Sequence, residues 1–268
     1  MTKVTCARPR TEMGKPLIGM LHLPPLPGAP RYEGRVAPLL ERVLADAEAL
    51  TAGGITQLLL ENFGDTPFYP AAVPPHVVAH MTAIAAEVKR RFDVPLGINV
   101  LRNDGCAALA IAHAVGAQFI RVNVLCGARL ADQGILPGIA HDLLRLRKTL
   151  AADQIQILAD VDVKHSVPLA AVPLEREVQD LIQRGLADGL IVTGAATGEA
   201  AAAEPLQKVK QAAGGHPVYL GSGVTPDAVA RLHPHADGFI VGTWLKQDGQ
   251  VGHPVDPDRV RALVAACP

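Results

Sequence analysis

The stretch Ile155–His165, IQILADVDVKH, has two faces of opposite character. Successive side chains along a strand point to opposite sides. Ile155, Ile157, Ala159, Val161 and Val163 therefore share an apolar face suited to covering helices. Leu158, Asp160, Asp162 and Lys164 share the other. Two carboxylates and an amine on an enclosed face are costly to bury without a purpose.

On either side of this segment, short apolar runs alternate with stretches of helical period. The candidate strands are Leu17–His22, Ile55–Glu61, Pro95–Val100, Phe119–Val124, Ile155–Asp162, Gly189–Thr193, Pro217–Ser222 and Gly238–Val241. Helical patterns cover Val36–Ala52, Pro75–Phe92, Asp104–Val115, Ile139–Leu150, Leu174–Gly185, Pro205–Ala213, Pro226–Leu232 and Pro257–Ala266. Thr225-Pro226 and Asp256-Pro257 are N-caps followed by proline at the first helical position. Gly53, Gly116 and Gly185 stand where helices should end.

Eight strand–helix units call for parallel strands joined by right-handed crossovers. The fold class expected is α/β, a single (β/α)8 TIM barrel of the phosphate-binding type. Such barrels run to about 250 residues, which fits a chain of 268 with no visible linker. An open doubly wound sheet would normally carry G-x-G-x-x-G after its first strand, where this chain has HLPPLPGAP (22–30). Residues 1–14 read as a loose tail and 15–268 as one domain.

Composition narrows the function. Lys and Arg total 25 against 26 Asp and Glu, a net charge of −1. That balance lacks the basic stripe a nucleic-acid partner requires. Five Phe, three Tyr and one Trp leave few stacking platforms and demand an aliphatic core. Cys6, Cys106, Cys126 and Cys267 show no paired spacing, so reduced thiols and a cytoplasmic location are expected. The opening residues have no apolar signal region, and no run approaches the roughly 18 apolar residues of a membrane span.

The barrel parity places further polar groups at one rim. In FIRVNV (119–124), Phe119, Arg121 and Asn123 face inward. The first strand ends in His22, the second in Glu61 followed by Asn62, the third carries Asn99 and the sixth ends in Thr193. Any one of these fits a buried salt-bridge layer, with Arg121 and Lys164 neutralising Glu61, Asp160 and Asp162. The convergence of so many chemistries at the loop-bearing end points instead to a pocket. Two long loops, ENFGDTPFYPAAVPP (61–75) and NVLCGARLADQGILPG (123–138), exceed the usual length of βα connections. Asp65, Tyr69, Arg129, Asp132 and Gln133 are their candidates for substrate contact, or equally for loop and oligomer contacts.

After the seventh candidate strand comes GSGVTP (221–226), opening a helix, and after the eighth VGTWLK (241–246), read as a short extra helix. Barrels of this kind hold phosphate between those two loops. Glycines let backbone N–H groups approach an anion. Gly221, Ser222, Gly223, Gly242 and Thr243 form the expected cradle, widened by Gly194 and Gly198 of TGAATG (193–198).

The motifs LIGMLHLPPLPGAP (17–30), ENFGDTPFYP (61–70), NVLRND (99–104), FIRVNV (119–124), DQGI (132–135) and ADVDVKH (159–165) occur in this order. Through them the chain resembles the BtpA/SgcQ family from about Lys15 to Pro257. The resemblance implies a barrel of the ribulose-phosphate-binding superfamily. It implies family residues at His22, Glu61, Asn62, Asp65, Asn99, Arg121, Asn123, Asp160, Asp162, Lys164, His165, Gly221, Gly223 and Gly242. One class of members is linked to photosystem I biogenesis and another sits among sugar-transport genes. The resemblance supplies no settled reaction.

The leading functional expectation is an enzyme acting on a phosphorylated sugar, nucleotide or similar small anion, by acid–base chemistry of the isomerase or lyase type. Asp160 or Asp162 would be the general base, Lys164 would stabilise developing negative charge, and His22 or His165 would return the proton. A Schiff-base role for Lys164 ranks lower, because nearby carboxylates oppose the pKa shift it needs. A nucleosidase or other hydrolase using Glu61 and Asp160 stays open. So does a divalent metal on His22, Glu61, Asp160, Asp162 or His165, although no spacing demands one and no cofactor is otherwise indicated. The contrasting class is a non-catalytic assembly factor or metabolite-binding protein. A homo-oligomer is expected in either case.

Overall fold

In a computed structural model, which describes residues 14–193 and 203–267, eight parallel strands close into a barrel with helices outside. The chain begins with β1 (Leu17–His22), α1 (Val36–Ala52), β2 (Gln57–Glu61), α2 (Pro75–Arg91), β3 (Leu96–Asn99), α3 (Gly105–Val115) and β4 (Phe119–Val122). An inserted hairpin follows, β5 (Ala128–Ala131) and β6 (Gly134–Pro137), then α4 (Ala140–Thr149), β7 (Gln156–Val161), the short β8 (Ser166–Pro168) and α5 (Leu174–Gln183). The chain continues through β9 (Gly189–Val192), α6 (Ala203–Ala212), β10 (Val218–Leu220), α7 (Pro226–Leu232), β11 (Gly238–Val241) and α8 (Pro257–Ala265). Around the ring the order is β1-β11-β10-β9-β7-β4-β3-β2, closed by β1 on both β2 and β11.

The expected devices set the element ends. The Thr225 hydroxyl accepts from the Ala228 N–H at 3.1 Å and the Asp256 carboxylate from the Asp258 N–H at 2.9 Å, each ahead of a proline. Gly116 ends α3 in the left-handed conformation with φ of 67°. Aliphatic side chains fill the layer between strands and helices. The lower barrel interior is a separate plug of Ile18, Met20, Leu59, Phe119, Leu158, Ile191 and Ile240. Gly97 makes room for it, since a Cβ there would lie 2.1 Å from the Phe119 ring. With the bottom of the barrel filled, a ligand enters the barrel interior from the upper rim.

Two expectations need correction. The loop over 123–138 contains structure: β5 pairs antiparallel with β6, and β8 adds on the other side, making a three-stranded sheet outside the barrel. Ile135, Leu130 and Val167 stand in register across it and are 59%, 46% and 58% exposed. The inward parity of the fifth candidate strand also stops early. β7 ends at Val161, and Asp162 has φ of 48°, which breaks the alternation. Its side chain leaves the barrel, 68% exposed, and pairs with Arg129 at 2.5 Å. Gly194, Gly198 and the tail to residue 13 lie outside the described residues.

Candidate active site at the barrel mouth

A cavity of about 230 Å³ opens at the C-terminal ends of the strands, on the scale of a small molecule. Its walls include His22, Glu61, Arg102, Arg121, Asn123, Lys164 and His165 on one side. The backbone run from Gly221 to Thr225 and from Gly242 to Trp244 forms the other. Phe63 and Phe68, from the long loop after β2, add apolar cover.

At the floor of the polar wall lies a closed ion-pair network. Asp160 takes two hydrogen bonds from Arg121, from Nε at 2.9 Å and Nη2 at 3.0 Å, and a third from Asn123 Nδ2 at 2.7 Å. The Asp160 side chain is fully buried. Both carboxylate oxygens are taken up by these three hydrogen bonds, a geometry that orients Arg121 and Asn123. Asp162, the other expected base, is outside the mouth.

Glu61, also expected at this rim, lines the mouth. It is buried at the end of β2, where Asn99 donates to its Oε2 at 2.6 Å. Its Oε1 faces His22 Nε2 at 3.8 Å. Burial, followed by the nearby charges of Lys246, Lys164 and Arg121, pushes the His22 imidazole well below its ordinary pKa, so it stands neutral. Its Nδ1 is buried without a hydrogen-bond partner. Phe63 packs on the ring with centroids 4.9 Å apart. Gly242 is required beneath it, because a Cβ there would come 2.7 Å from His22 Cε1.

Lys164 reaches the mouth from the turn after β7. Burial first, then the adjacent Arg121, lowers its ammonium pKa, with Glu61 and Asp160 opposing. Its N–H donates to Thr193 Oγ1 at 3.3 Å, which makes Thr193 a support for that turn. His165, exposed beside it with φ of 58°, is also lowered, by partial burial and by Lys164. Among the described residues no three His, Cys, Asp or Glu side chains gather as a metal-ion site, and the expected set is divided by the outward turn of Asp162.

Asn62 and Asp65 belong to the loop framework beside the mouth. Asn62 Oδ1 accepts from the Leu101 N–H at 2.7 Å, and its Nδ2 donates to Asp65 at 3.1 Å. Asp65 in turn accepts from the Leu26 N–H at 2.8 Å. Arg129 bonds Ser166 Oγ at 2.7 Å as well as Asp162, so it braces the small outer sheet.

Two functional candidates carried no signal of their own in strand parity. Arg102, only 5% exposed, lies in the NVLRND motif beyond the end of β3. Lys246, 1% exposed, donates to Asp46 on α1 at 2.7 Å and so pins the loop that carries Gly242 and Thr243. Its side chain had no reading from the sequence, because its partner lies 200 positions away.

Comparison with known proteins bears on the same geometry. The chain is 47% identical over 251 residues to the photosystem I biogenesis protein BtpA of Synechocystis sp., covering 94% of this chain and 87% of that one. It is 46% identical over 250 residues to an uncharacterised protein of Pyrococcus furiosus, covering 93% and 94%. The barrel is similar to N-(5'-phosphoribosyl)anthranilate isomerase from Pyrococcus furiosus, with a TM-score of 0.56 at 12% identity over 94% of this chain and 98% of that one, a likeness of fold alone. The BtpA family model matches residues 13–267, a span that takes in every barrel strand and both walls of the mouth, and the chain belongs to that family.

Proposed function

We propose that this protein is an enzyme that binds a small phosphorylated molecule across the barrel mouth and moves a proton on its carbon end. The observation that carries this reading is the two-sided cavity. Glycine-rich backbone forms one side, while a carboxylate, a neutral imidazole and a half-buried amine form the other. Backbone N–H groups at Ser222–Thr225 and Gly242–Trp244 hold the phosphate, helped by the Ser222 and Thr243 hydroxyls. Glu61 accepts the proton and returns it to the neighbouring carbon, Asn99 fixes its carboxylate, and Lys164 stabilises the developing oxyanion beside the neutral His22. Chemistry of this kind covers isomerisation, epimerisation and lyase reactions of sugar phosphates. The solved isomerase of like fold is named for a phosphoribosyl substrate, which agrees with the phosphate-bearing class without identifying the ligand.

The test follows C–H exchange by proton NMR, with aldose and ketose phosphates of three to six carbons incubated with the protein in D2O. Loss of a carbon-bound proton signal is expected for at least one of them. Glu61→Gln and Lys164→Ala should each slow the exchange by about 100-fold or more while unfolding stays cooperative. Gly223→Asp should weaken binding of the same compound by placing a carboxylate in the phosphate cradle. No exchange with any phosphate, or full exchange in Glu61→Gln, would remove the proposal. A second reading, an assembly factor without catalysis, draws on the name of the Synechocystis relative. It is favoured if phosphate compounds bind but none exchanges.

A further inference from the structure

We infer that the mouth has a second anion-recognising end, built on Arg102, and that the ligand carries a carboxylate or equivalent oxyanion at the terminus opposite its phosphate. The inference rests on the placement of phosphate at the glycine loops and extends it to the rest of the ligand. In the ring, β3 stands four strands from β10, directly across the barrel. Arg102 follows β3, and the Gly221–Thr225 run follows β10, so guanidinium and glycine loop face each other over the cavity that both line.

Arg102 is incompletely satisfied by the protein. Its Nη2 donates to the Lys164 carbonyl oxygen at 2.7 Å, which joins the loops after β3 and β7. Its Nε is buried without any hydrogen-bond partner, and the residue as a whole is nineteen-twentieths enclosed. A buried donor left unpaired is a cost that native structures rarely carry without a role. Arg121, on the same wall, is paired with Asp160. Among the described residues no carboxylate pairs with Arg102, and Asp160, Glu61 and Asp132 act on its charge only from a distance. A planar guanidinium in that position matches a carboxylate in shape as well as charge.

The test compares matched ligands that differ only at the far terminus. Isothermal titration would measure glycerol 3-phosphate against 3-phosphoglycerate, erythritol 4-phosphate against 4-phosphoerythronate, and ribitol 5-phosphate against 5-phosphoribonate. In at least one pair the acid should bind the wild-type protein about 10- to 100-fold more tightly than the alcohol. Arg102→Gln should erase that preference, and Arg102→Lys should retain part of it. Equal binding of acid and alcohol in every pair overturns the inference even if Arg102→Gln does not fold. So does a preference that survives Arg102→Gln. Failure of all alcohols and of inorganic phosphate to bind overturns the phosphate reading instead. An acid that still binds in that case keeps the Arg102 site, and an acid that does not removes both.

Discussion

His22 is held in a place where burial and neighbouring charge act in the same direction. Its folded pKa lies well below the unfolded value of about 6.5. Between those two values the unfolded chain binds more protons than the folded one, so stability rises with pH through that window. The contribution is complete above about pH 6.5 and is lost as pH falls toward the folded pKa, at up to about 1.4 kcal/mol per pH unit for one proton. His165 and His233 shift in the same direction, so the wild-type slope alone does not isolate His22. His22→Gln should flatten the dependence between about pH 6.5 and 5 relative to wild type, measured by denaturant unfolding across a pH series. Parallel curves for the two proteins would mean that the imidazole charges freely inside the fold. At this scale the sequence was informative up to the end of each strand. Parity correctly turned Asp160, Arg121, Glu61 and Asn99 inward, because all four lie on strands. It failed one residue later, at Asp162, where a left-handed backbone cancels a rule that holds only for extended chain. It could not reach Arg102, whose position depends on a loop.

At the scale of elements, what joins the last βα loop to the first helix is the buried pair of Lys246 and Asp46. Asp46 Oδ2 accepts from Lys246 Nζ at 2.7 Å, while Oδ1 accepts from the Val255 N–H at 2.7 Å and from Arg42 Nε at 3.3 Å. Removing one partner of a buried pair leaves the other charge uncompensated, which typically costs about 3–5 kcal/mol. Lys246→Met should therefore destabilise the fold by roughly 3 kcal/mol, somewhat less if Arg42 takes up the carboxylate. The double variant with Asp46→Asn should recover much of the loss, since no buried charge then remains. Chemical denaturation of the two variants checks this, and additive losses would show that the pair is not coupled. The same lesson governs how elements could be read. All eight barrel strands and all eight α-helices among the described residues were legible, with ends shifted by a few residues at most, because apolar period and capping residues are local signals. The outer sheet was missed because ARLA (β5), GILP (β6) and SVP (β8) lack the continuous buried apolar run that marks barrel strands of the same length, such as GLIV in β9. The left-handed Gly134, with φ of 95°, beside Asp132 and Gln133 was the one turn signal available there.

For the whole molecule, near-neutrality and a charged mouth are compatible because the charges are unevenly placed. The chain carries a net charge of −1, so it presents no strong long-range field to a small anion. On the proposed reading, attraction arises within the cavity, from Arg102, Lys164 and the glycine-loop backbone that line it, where low solvent access limits screening. The two origins predict different salt dependence. A field spread over the surface would be damped within a Debye length of about 8 Å at physiological ionic strength, and affinity would fall steeply as salt rises. Charges enclosed with the ligand are screened far less. The Kd of a phosphate-bearing ligand should therefore rise by less than about threefold between 50 and 300 mM of a salt whose anion does not compete, with the association rate similarly insensitive. Titration calorimetry and stopped-flow binding across that range measure both. A tenfold or greater loss of affinity would place the attraction on exposed lysines and arginines, and the enclosed arrangement of the mouth would then not be what selects an anion.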